Sequence, residues 1–183
     1  GLYRAAMLLD ALGWVGIGGL FLWPAMLMRR GAPVRCTIAA VCGIAMLTGV
    51  IGGFLRLTAT GDLGARLAAG EDQNRIVEAY RLLDQIISAH FTAGQPLQGA
   101  GFLLVASVAL ASGLLPRRLA LALAVPGITS LTIFTVELVL NVFPFPLLIA
   151  HILITAAVSL WLGFTASHLA RSAPSLTSSS TQP

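Results

Sequence analysis

The chain has 183 residues, of which 57% are hydrophobic and 10% charged, and carries a net charge of +4; its mean hydropathy is +0.89. Soluble domains carry about 25% charged residues, so the side chains that would cover a water-facing surface of this size are missing and a soluble globular fold is excluded. Gly and Pro without a strict period and only two Cys exclude collagen-like and disulfide-framework classes as well.

The expectation is an all-α, polytopic membrane bundle of about five transmembrane helices. All 11 basic residues are Arg. The absence of Lys removes Schiff-base chemistry. The Arg side chains cluster in short connections between apolar runs, which argues for membrane topology and against a nucleic-acid partner. Composition rich in Arg, Ala and Leu without Lys points to a bacterial inner membrane.

The first span, about 2–28, is too long for a signal peptide, is followed by Arg29-Arg30 and has no small-residue cleavage site. Its glycines, Gly13, Gly16, Gly18 and Gly19, echo a dinucleotide loop, but no strand precedes them. Together with Gly49 and Gly53 in the second span, about 34–55, they predict two tightly packed helices. Cys36 and Cys42 are separated by about 9 Å of helical rise, too far to bond, and are read as small buried side chains.

Residues 57–95 form the one long loop in this reading, and they hold Asp62, Glu71, Asp72, Glu78 and Asp84. Asp62 is placed as the N-cap of a short surface helix over 63–69 that stops at Gly70. From Asn74 onward, Ile76, Val77, Tyr80, Leu83, Ile87 and Phe91 recur at helical spacing opposite Glu78, Arg81, Gln85 and Ser88. This amphipathic helix either lies on the outer interface or runs on into the third span, with Gly94 and Pro96 as the bend.

The remaining spans are 96–115, 119–142 and 145–169, the last two separated by the hinge at Pro144 and Pro146. Arg29, Arg30, Arg35, Arg117 and Arg118 put their turns in the cytoplasm, which leaves the N-terminus outside and the C-terminus inside. The stretch 171–183 is Ser/Thr-rich and is expected to be a disordered cytoplasmic tail.

Ionisable groups inside an apolar span cost at least about 2.5 kcal/mol unless paired or wetted, so the polar residues of the spans mark candidate sites. Helix position gathers them in one outer layer. Glu137, His151 and Asp10 are the candidate catalytic groups, with Glu137 and His151 at matching distances from the hinge as an acid-base or proton-relay pair. Gln98, Asn141, Gln95 and His90 are the candidate ligand-binding groups. No metal or cofactor is expected: HExxH, Walker and Cys-His spacings are missing.

Two carboxylates without Lys favour a lipophilic or cationic small molecule over a phosphate. Three functions fit. The first is acid-base transformation of a membrane-soluble substrate, as in an isomerase or cyclase; the second is a proton-coupled transporter or channel subunit. The third is an accessory subunit or assembly factor, with the lipid bilayer and a homo-oligomer or partner membrane subunit as its surroundings.

Overall fold

The computed structural model describes residues 2–28, 30–113 and 115–172; Arg29, Leu114 and the tail from 173 onward lie outside them. The described chain forms α1 (Leu2–Met28), α2 (Pro33–Ala68), α3 (Gln73–Ser112), α4 (Arg117–Leu140) and α5 (Phe145–Ser172). All five helices are long and apolar enough to cross a membrane, as a multi-pass protein requires. Arg171 and Ser172, assigned by sequence to the tail, are the last residues of α5.

The long loop expected over 57–95 is corrected to a tight turn of residues 69–72 between two long helices. α2 has 36 residues and α3 has 40, or about 54 and 60 Å at the helical rise, against a hydrocarbon core of about 30 Å. Their joined ends therefore reach well past any single span. Asp62 is not an N-cap: it sits within α2, where its carboxylate faces Arg66 one turn on at 3.9 Å. Continuity wins because no proline interrupts 34–68, and capping chemistry stands only at the true ends.

At Gly70 (φ 86) the chain enters the left-handed region that glycine tolerates. The Gly70 N–H then donates to the Leu67 carbonyl and the Glu71 N–H to that of Arg66, each at 3.1 Å, closing α2 in a Schellman turn. Asp72 starts α3, its carboxylate accepting from the Asn74 N–H at 2.9 Å. Further along the hairpin, Leu63 and Ile76 are buried and Arg56 pairs with Asp84. The amphipathic segment from Asn74 is thus the first half of α3, which continues through Gly94 and Pro96 into the third span.

Helices α1 to α4 pack side by side in chain order, α1 also touches α3, and α5 is held chiefly by α4. Two glycine crossings set the spacing. A Cβ on Gly18 would come within 3.0 Å of the Gly43 carbonyl and one on Gly43 within 2.9 Å of the Gly18 carbonyl; Gly99 and Gly127 oppose one another at 3.0 Å in the same way between α3 and α4. Only Gly18 among the α1 glycines plays the expected packing role, since Gly13, Gly16 and Gly19 face open space. Gly49 instead makes room for the Trp14 ring and Gly101 for that of Phe21. The apolar core, including Phe21, Cys36, Met46, Phe102, Leu119 and Leu123, fills the half of the bundle nearer the α1–α2 and α3–α4 turns.

The partly exposed Glu71 carboxyl is held below the usual carboxylate range, first by the hydrogen bond from Arg66. A lowered folded-state value contributes stability above the ordinary range that is lost as pH falls through the lowered value, and exposure keeps this contribution small. The crossings matter more. Gly18→Leu and Gly127→Leu should each destabilise the protein by about 1–3 kcal/mol through overpacking, whereas Gly19→Ala should stay within about 0.5 kcal/mol. Thermal unfolding in detergent checks this, and equal losses at all three positions would contradict the crossing geometry.

Candidate functional site

The end of the bundle opposite that core is polar, and two cavities open there. The larger, about 650 Å³, is a groove between α1, α3 and α5. It exists because α5 leans on α4 and leaves α1 uncovered. Asp10, Gln95, Gln98, His151, Thr155 and Ser159 supply its polar groups, and Trp14, Ile17, Leu20, Trp23, Ile152 and Leu162 are among its apolar ones. From Asp10 to Trp23 the groove runs about 20 Å along α1 at the helical rise. Gly13, Gly16 and Gly163 line it with nothing within 4 Å of a Cβ at any of them, so the wall is bare there.

The polar layer is held by α4. Ser130, fully buried, points its hydroxyl at the Gln95 main-chain carbonyl (2.9 Å) and Gln95 Oε1 (2.7 Å), with Gln98 Oε1 at 3.5 Å. Proline at 96 lacks the N–H that would bond to the Thr92 carbonyl, which loosens the helical ladder in that turn. Gln95 and Gln98 are 1% and 4% exposed, so their place in the groove wall depends on these bonds from a neighbouring helix.

His151 is 3% exposed. Its Nδ1 lies 2.8 Å from the Thr129 hydroxyl, which donates to the Pro126 carbonyl at 3.1 Å. The Thr129 hydroxyl thus bridges the Pro126 carbonyl and the His151 ring and fixes the imidazole against α4. Thr155, one turn further along α5, has a buried hydroxyl without a hydrogen-bond partner.

The smaller cavity, about 530 Å³, lies between α1, α2, α3 and the end of α4. It is lined by Asp10, Arg56, His90 and Glu137 with the rings of Trp14, Phe91 and Phe143, and Gly49, Gly52 and Gly53 form its α2 side. Glu137 Oε1 accepts from the Thr92 hydroxyl at 2.9 Å, while its Oε2 is buried without a partner. His90 Nε2 lies 3.4 Å from the Thr48 hydroxyl. Trp14 and Phe91 meet edge to face at 6.1 Å between centroids and, with Asp10, line both cavities.

The structure does not bring Glu137 and His151 into one cavity. His151 is level with Thr129, and Glu137 lies two turns beyond Thr129, about 12 Å of rise. At the level of Glu137 the returning chain is still at Phe143, in the connection before α5. Asn141 is exposed, lines neither cavity and ends α4 in the left-handed conformation (φ 51), which Asn tolerates better than most residues. Asp10, Gln95, Gln98 and His151 do share the groove. Among the described residues no group of three His, Cys, Asp or Glu side chains is placed to hold a metal.

No protein-family model matches the chain, and no curated protein or solved structure is significantly similar to it.

The α4–α5 register gives a direct check. With Cys36 and Cys42 replaced by Ala, Thr129→Cys and His151→Cys together should join readily through a short bifunctional thiol reagent, and Glu137→Cys with His151→Cys should not. Efficient joining of the second pair would put the two groups back at one level.

Proposed function

We propose that the protein is a multi-pass component of a bacterial inner membrane whose α1–α3–α5 groove binds a lipophilic molecule with a neutral or cationic hydrogen-bonding head. The observation that carries this reading is the polarity gradient of the groove. Hydrogen-bonding groups crowd the end at Asp10, Gln98 and His151, and past Ser159 the wall is apolar to Trp23 and Ala166. A groove of about 20 Å is longer than half the hydrocarbon core, so it suits a chain lying along the bilayer normal. With Arg30, Arg35, Arg117 and Arg118 at the turns of the opposite end, the positive-inside rule puts the polar end and the α2–α3 hairpin outside.

Asp10 and His151 are the acid-base groups available at the polar end of the groove, which supports isomerisation or cyclisation as the reaction class. Glu137, in the other cavity, has no part in that step. A complete transport path is disfavoured because polar lining stops at Ser159. A partner subunit has one specific observation behind it, the exposed Val77, Tyr80, Leu82 and Ile86 on the outer part of α3.

Gly16 lines the groove and a Cβ there meets nothing within 4 Å, so Gly16→Leu adds its bulk to the groove and makes the test. A photoactivatable diazirine fatty alcohol should label α5 within residues 148–163 of the native protein. The variant should lose about tenfold in labelling, the equivalent of about 1.4 kcal/mol of binding. Unchanged α5 labelling in Gly16→Leu would remove the groove as the binding site.

A further inference from the structure

The groove leaves the second cavity unexplained, although the two share Asp10, Trp14 and Phe91. We infer that this second chamber receives a protonated amine, so that the ligand is a lipophilic amine with its chain in the groove and its head among Asp10, Glu137 and the rings of Trp14, Phe91 and Phe143. The inference rests on the groove reading and adds the chemistry of the head.

Three features converge. First, the chamber combines aromatic faces with carboxylates, the pairing that recognises ammonium groups by ring quadrupole and charge. Second, its one lining guanidinium, Arg56, is already engaged by Asp84, which lies outside the lining, so Asp10 and Glu137 leave the chamber with an excess of negative charge. An anionic head would meet two carboxylates there, with Arg56 already engaged and the His90 imidazole as the one other basic group of the lining. Third, Glu137 Oε1 has the Thr92 hydroxyl but the buried Oε2 has nothing. A buried acceptor without a donor costs about 1–3 kcal/mol, and an N–H from a primary or secondary ammonium is the donor that is missing. A quaternary ammonium has no such proton to give.

The fold keeps room for this head. Gly49, Gly52 and Gly53 line the α2 side of the chamber, and a Cβ on Gly49 would overlap the Trp14 ring that lines both chamber and groove. Since Trp14 stands at the junction, it also reports on occupancy of either side.

The test uses the full chain in dodecyl maltoside with Trp23→Phe and Trp161→Phe, leaving Trp14 as the only indole. Its fluorescence is followed during titration at neutral pH with dodecylamine and, separately, with dodecanol, which has the same chain and a neutral head. The amine should bind about tenfold more tightly than the alcohol, the scale of one charge-assisted hydrogen bond. Glu137→Gln, checked for native helicity by circular dichroism, should bring that ratio to about one. Phe143→Leu, in the connection before α5, should reduce the ratio in part and serves if Glu137→Gln fails to purify. A ratio of about one in the unaltered chamber, or a preference that persists through both substitutions, would overturn the amine assignment while leaving the groove reading in place. Failure of both ligands to bind would overturn both.

Discussion

Backbone contact between helices is the constraint on which the rest of the structure depends. In lipid there is no hydrophobic gain from pressing two apolar helices together, so association relies on close packing and on hydrogen bonds. Here closeness comes from glycine set against glycine: Gly18 with Gly43 in the α1–α2 pair and Gly99 with Gly127 in the α3–α4 pair. The α2–α3 contact joins the two hairpins into a four-helix slab. No comparable glycine crossing ties α5 to the slab: Gly163 faces open space. The unfilled wedge between α5 and α1 is the consequence, and it is where the polar end of the bundle meets the larger of the two cavities.

Polar groups are arranged around that wedge in a consistent way. α4 supplies hydroxyls to its neighbours on either side: Ser130 reaches Gln95 and Gln98 on α3, and Thr129 reaches His151 on α5. α3 returns one at the end of the bundle, from Thr92 to Glu137. These bonds orient side chains whose burial would otherwise be costly. What they leave over is informative, because the buried side-chain atoms without a partner among the described residues, Glu137 Oε2 and the Thr155 hydroxyl, belong to residues that line the two cavities. A protein that needed only to hold its helices together would gain nothing by leaving them so.

Much of the architecture was legible in composition and hydropathy, since five long apolar runs have few alternatives to five helices. The helix from Asn74 is legible in its spacing, whereas 57–68 is not legible as the second half of α2, because Asp62 and the glycines at 61, 64 and 70 mimic the punctuation of a connection. Only Gly70 acts as a stop. Capping residues are recognisable by type but not by use: Asp72 caps and Asp62, equally suited, faces Arg66. Of the site, the polar layer with Asp10, Gln95, Gln98 and His151 followed from depth along each span. The division into two cavities did not, because it depends on the register of α4 against α5, and sequence distance from a proline hinge does not fix where the second helix starts. The hydroxyls of Thr92, Thr129 and Ser130 were overlooked for a related reason. Ser and Thr on apolar helices are common and usually bond their own backbone, as Thr132 and Thr135 do. Helical position was the one signal available, since Thr129 and Ser130 lie two turns from Glu137 on the same helix.

If the space between α1 and α5 is a binding groove occupied by a lipophilic ligand, a high-resolution structure of the full chain in lipid nanodiscs should show it. Elongated density is expected from Asp10 and His151 past Gly13 and Gly16 toward Trp23, with α5 standing off α1. Density confined to ordinary annular lipid, with α5 closed against α1 so that Thr155 and Gly16 are in contact, would contradict it.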